Sequence, residues 1–146
     1  MASFNTTGLR FFPYIGGTAL SAFTRVAVGS TGQLVVAGPT AADVGVLDLD
    51  VGGNANSLTP EVSAAVRLPT CPGSKKYIAD TAISAWVAVY KSTTGYVTVI
   101  GSFSSGQPLS GVTATQLGIA AAPSGATVAA IALGSVFEVI PLVGLV

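Results

Sequence analysis

The sequence predicts an all-β fold: a small β-barrel or sandwich of short antiparallel strands, organised around an internal two-fold repeat. Apolar runs are short, and turn signals interrupt them about every eight to twelve residues, the spacing of many-stranded sandwiches and barrels. No stretch carries sustained helical periodicity between caps. The third observation is that the chain repeats itself.

Taken in order, the pattern predicts strands near Thr24–Val28, Gln33–Ala37, Val44–Val51, Glu61–Leu68, Trp86–Lys91, Tyr96–Ile100, Gln116–Ala121, Thr127–Leu133 and Val136–Ile140. Ser30-Thr31-Gly32 and Thr93-Thr94-Gly95 read as hairpin turns with glycine at positive φ. Cys71–Asp80, with Pro72, Gly73 and two lysines, reads as an exposed loop.

The repeat runs through these elements. Ala19, Ser21, Ala22 and Val26 recur as Ala82, Ser84, Ala85 and Val89, an offset of 63 positions (19 to 82). Phe23 becomes Trp86, Thr31-Gly32 becomes Thr94-Gly95, and Leu34 and Val36 become Val97 and Val99. Further on, Ala41–Val46 resembles Ala114–Ile119 at an offset of 73 (41 to 114), so the second copy holds about ten extra residues, assigned to Ser102–Ser110. Each half alone would expose an apolar face, so two copies are expected to close one sheet system. The organisation expected is an N-terminal arm or edge segment over 1–18, one β domain over 19–140 with repeat units near 19–51 and 82–121, and an apolar tail over 141–146.

Composition bears on function through charge. Of 146 residues only 8% are charged, six basic and six acidic, and 50% are hydrophobic; ordinary soluble domains are about 25% charged. Such a monomer would show large apolar patches, which mark interaction sites. At zero net charge, repulsion does not keep copies apart. Six basic residues with no cluster beyond Lys75-Lys76 make a poor phosphate-binding stripe, so no nucleic-acid partner is expected. The uncharged stretch from Gly118 to Phe137 is broken by Pro123-Ser124-Gly125 and reads as two strands around a turn, so no membrane span is expected. The single Cys71 excludes an intrachain disulfide, and the N-terminus lacks the features of a secretion signal; both suit synthesis in a reducing cytoplasm.

The residues of catalysis are missing. Without histidine there is no Ser-His-Asp or Cys-His arrangement and no imidazole metal site. No Walker motif or GxGxxG occurs. The chain is not expected to be an enzyme, and neither catalytic, cofactor nor metal residues are assigned. Asp48 and Asp50 alternate with Leu47, Leu49 and Val51, which puts both acids on one strand face. With Asp43 they would suit calcium; as a solvated sheet face they need no ion, and that reading is preferred. Glu138 stands alone in an uncharged region and reads first as an outward-facing strand position; the second reading is an ion pair across subunits, with Arg25 and Arg67 as candidate partners.

The termini supply the candidate contacts. Phe4, Phe11, Phe12 and Tyr14 are four of the ten Phe and Tyr residues, and Arg10 lies among them. Aromatics and Arg anchor interfaces. The other end is apolar through Leu142, Val143 and Leu145. One or both ends are expected to be arms that lie on neighbouring subunits, unless they pack on their own domain.

The repeated unit resembles the capsid cement, or head-decoration, proteins of tailed bacteriophages. The first pass is Thr24-Arg25-Val26-Ala27-Val28, Gly32, Leu34-Val35-Val36 and Val44-Gly45-Val46; the second is Trp86-Val87-Ala88-Val89, Gly95, Val97-Thr98-Val99 and Leu117-Gly118-Ile119-Ala120, followed by Pro123-Ser124-Gly125 and Val136-Phe137-Glu138-Val139-Ile140. The resemblance covers about Ala19 to Ile140. It implies a non-catalytic β-domain on the virion exterior, made in the host cytoplasm. Its partners would be the major capsid protein and copies of itself, as a trimer or dimer. The chain departs from the family in its poverty of charge and its longer aromatic N-terminal segment. A rival reading is a carbohydrate-binding or adhesive β-domain of a phage tail or fibre, with Trp86, Tyr90 and Tyr96 as stacking faces.

Overall fold

A computed structural model of the chain describes residues 8–39, 41–53, 62–69, 74–99, 116–122 and 130–141. Among them there is no helix; every ladder is antiparallel and every strand is short. The chain forms two compact units, one of Met1–Ala37 with Ala42–Pro72 and one of Gly38–Ala41 with Gly73–Val146. The division near Pro72 falls between the two copies of the repeat.

Unit 1 is a five-stranded sheet of β1 (Leu9–Tyr14), β2 (Arg25–Val28), β3 (Leu34–Val36), β4 (Gly45–Leu47) and β5 (Val62–Arg67), in the order β1-β5-β4-β2-β3. Its core is Tyr14, Val26, Leu34, Leu47, Val51, Ala64 and Val66, with Phe12, Leu20, Val44 and Val62 packed around it. These are the alternate positions that period-two geometry sends to one face. Tyr14 closes this core: its hydroxyl donates to the Thr18 carbonyl at 2.5 Å, and burial raises the phenol's pKa above its ordinary 10.0.

Unit 2 repeats the plan. Its main sheet is β6 (Lys75–Ile78), β8 (Ala88–Lys91), β9 (Val97–Thr98), β10 (Gln116–Ala120) and β12 (Val136–Pro141), in the order β6-β12-β10-β8-β9. Strand for strand this is the order of unit 1. Added to it is a two-stranded ribbon of β7 (Ile83–Ser84) and β11 (Ala130–Ile131). Tyr77, Ile83, Val89, Val97, Ala120, Ile131, Phe137 and Val139 are buried. A parallel bridge between Ala79 and Val97, with the Asp80 N–H on the Val97 carbonyl at 2.8 Å, joins the two edges of this sheet at one point.

The equivalence extends to single bonds. Phe23 N–H donates to Leu47 O at 2.8 Å, and Trp86 N–H to Ala120 O at 2.7 Å. Gly29 N–H reaches Gln33 O at 2.9 Å, and Ser92 N–H reaches Tyr96 O at 3.1 Å. The turn glycines Gly32 and Gly95 both sit at φ +80°, as the hairpin reading requires. Either Gly32→Ala or Gly95→Ala is expected to lower stability by about 1 kcal/mol, read from the urea midpoint, because alanine resists the left-handed region.

Gly45 and Gly118 answer a different need. At Gly45 an added Cβ would overlap the Arg67 carbonyl oxygen and lie 2.8 Å from Val66 Cγ1. At Gly118 it would overlap the Ile140 oxygen and lie 2.8 Å from Val139 Cγ1. The two glycines let β4 and β10 press against the strands beside them.

Two expectations are corrected. The segment predicted as an exposed loop, Cys71–Asp80, contains β6 over Lys75–Ile78; Tyr77, Ile78 and Ala79 are buried, and pairing with β12 outweighs the two lysines. The strand predicted over Val44–Val51 covers only Gly45–Leu47. Its alternation does not persist: Leu49 is 65% exposed, and Val51 returns as a lone bridge to Leu20. The N-terminal segment holds β1, an edge strand paired with β5 of the same chain from Leu9↔Arg67 to Tyr14↔Val62.

Candidate interaction surfaces

Strand geometry sorts the N-terminal residues. On β1 the alternation turns Phe12 and Tyr14 toward the core and Phe11 outward, where it is 63% exposed. Arg10 lies 5.3 Å from the centroid of the Phe12 ring, a cation–π spacing that holds both on the edge strand. Phe11 is therefore the aromatic of β1 presented for contact. Phe4, Leu142, Val143 and Leu145 lie outside the described residues.

The acidic residues do not converge. Arg25 is wholly buried and takes the Asp43 carboxylate through Nη1 at 3.0 and 3.2 Å, while Nη2 donates to the Ala37 carbonyl at 3.3 Å. Asp48 accepts from Arg67 Nε at 3.1 Å and Nη2 at 2.5 Å. Asp50 accepts the Ala22 N–H at 2.6 Å. The three acids weighed as calcium ligands thus serve three separate partners. Glu138 accepts from the Ser74 hydroxyl and stands across the ladder from Lys76. Glu138 faces outward on β12, and Arg25 and Arg67, the candidate partners of the second reading, are held by Asp43 and Asp48 inside unit 1.

Two residues that sequence reasoning matched, but did not explain, are Phe23 and Trp86. Both hold left-handed backbone, at φ +68° and +66°. A bulky residue there is uncommon and strained, by on the order of 1–3 kcal/mol. Each N–H is fixed to the neighbouring strand, so the turn is over-determined by its surroundings. The outcome differs between units: Phe23 is partly covered, whereas Trp86 is 57% exposed. Tyr90 and Tyr96, grouped with Trp86 as stacking faces, are both partly buried.

Large apolar side chains stand out on both units. Phe11, Val28, Val35, Val36 and Leu49 do so on unit 1, and Trp86, Leu133, Val136 and Ile140 on unit 2. An open groove of about 530 Å³ on unit 2 is lined by alanines with Ile131, Val136, Lys76 and Glu138. What these surfaces offer is apolar area with sparse charge, which suits contact with another macromolecule.

Neither protein-family models nor curated proteins give a match to this chain.

Proposed function

We propose that the chain is a structural cement, or decoration, protein that binds the exterior of a viral capsid as a homo-oligomer and stabilises contacts between capsomers. One observation carries the reading. In a chain with six basic and six acidic residues, Phe11, Leu49, Trp86 and Leu133 stand 57 to 69% exposed. Water is a poor neighbour for such a surface, and a lattice of subunits is a good one. Small contacts repeated by symmetry around a shell add up to a large stabilisation.

The test uses empty tailed-phage shells that lack decoration. The chain is expected to sediment with them and to raise the temperature at which they open. Phe11→Ser and Trp86→Ser should each weaken binding by about tenfold, near 1.4 kcal/mol apiece, as for truncated interface anchors. Failure to bind any such shell defeats the proposal. The exposure of Trp86 favours one second reading, an adhesive domain that stacks sugars. Specific glycan-array signals abolished by Trp86→Ala would establish it instead.

A further inference from the structure

The two units offer a control that few chains contain: the same fold built twice, so each position has a counterpart. On the outward face of β12, Val136 and Ile140 are 48% and 47% exposed, with Glu138 between them. Ile119 of β10 stands opposite Ile140, and Lys76 of β6 stands opposite Glu138. The matched contacts of Gly45 with Val66 and Arg67, and of Gly118 with Val139 and Ile140, fix the correspondence. Ile140 therefore corresponds to Arg67, and Val136 to Ser63. The fold accepts a serine and an arginine at these two places, so it does not require a valine and an isoleucine there. Ala121 likewise replaces Asp48, which removes the acid that Arg67 uses.

We propose that this face of β12, Val136-Glu138-Ile140 flanked by Lys76, is the surface on which a second copy of the chain docks about a two-fold axis. An isologous contact must be complementary to itself. Here the only charges in the row are one acid and one base on neighbouring strands. A two-fold operation sets Lys76 of one copy against Glu138 of the other, twice, with the valine and isoleucine filling the space around them. Zero net charge leaves no long-range repulsion to overcome. One face of short strands makes a small interface, below about 1,200 Å². The dimer is therefore weak, with Kd in about the micromolar range. The proposal rests on the homo-oligomer part of the reading above and not on shell binding.

The test is sedimentation velocity over a concentration series on the full chain. Wild type is expected to pass from monomer to dimer. Val136→Ser with Ile140→Arg, residues that unit 1 already carries at these places, should weaken the dimer at least about tenfold with an unchanged unfolding midpoint. Lys76→Glu and Glu138→Lys should each be monomeric, because each homodimer would then face like charges. Mixed together, the two variants should form a heterodimer with both pairs restored. A wild type that stays monomeric overturns the proposal together with the homo-oligomer reading. A dimer indifferent to Val136→Ser/Ile140→Arg, or charge variants that do not recombine, overturns the proposal alone. A monomeric wild type whose shell binding disappears in the double variant assigns the face to the capsid protein and overturns it as well.

Discussion

Asp43→Ala is expected to lower the stability of unit 1 by about 3–5 kcal/mol, the usual penalty for leaving one partner of a buried ion pair alone. Arg25 has no exposed surface, and Asp43 is only 14% exposed in its side chain. Once the carboxylate is gone, the guanidinium keeps the Ala37 carbonyl but loses the charge that balances it. The counterparts of Arg25 and Asp43 in unit 2 are Ala88 and Gln116, an uncharged pair. Arg25→Ala with Asp43→Gln is therefore expected to recover more than half of the loss, because replacing both partners removes the unpaired charge. Urea unfolding followed by the far-UV signal would read both variants, since the single tryptophan, Trp86, lies in unit 2. A loss under about 1 kcal/mol for Asp43→Ala would mean that the pair is solvated rather than buried.

The second large effect is expected at the paired glycines. Gly45→Ala and Gly118→Ala should each destabilise their unit by about 3 kcal/mol or more, at the upper end of overpacking. The added methyl has nowhere to go. It meets a carbonyl oxygen of the adjacent strand, which belongs to the ladder and cannot rotate aside as a flexible side chain would. At Gly45 the φ of +155° adds strain of its own. Thermal unfolding by circular dichroism would show the loss; a shift of only a degree or two would show that the strands part easily at this point.

Much of the fold was legible in the sequence because the repeat carries it. The two hairpins, their turn glycines and the strands that follow them share one spacing, and the structure builds them alike. What stayed hidden has physical causes. In β6 the signal was diluted: Lys75 and Lys76 look like loop residues, and only pairing with β12 shows that Tyr77 and Ile78 turn inward. Arg10-Phe11-Phe12 and Lys75-Lys76-Tyr77 share a basic-then-aromatic order at an offset of 65 (10 to 75), which extends the repeat to the outer strands. The Val-Gly-Val and Leu-Gly-Ile segments match in the sequence, but the reason for their glycines is a close approach between strands distant in sequence. The aspartates misled because alternation assumes a strand that continues, and this one ends at Leu47. The apolar row on β12 was legible only as a stretch of Val, Phe and Ile; which of them face water is set by register.

The strand order also governs how the chain reaches its native state. In both units the first strand lies beside the last, so β1 waits for β5 and β6 waits for β12, with about fifty residues between the ends of the first pair. Hairpins close in microseconds, whereas such distant ends pay a larger loop entropy and meet late. On a ribosome the N-terminal strand emerges early and stays idle until its neighbour appears. During that interval β1 and β6 have no partner strand, and β4 and β10 each leave open the edge that β5 and β12 later fill, available to any other nascent chain. Crowded synthesis is therefore the moment of greatest hazard for this protein, and a lower rate of initiation, with fewer nascent chains present at once, should raise the yield of correctly folded material.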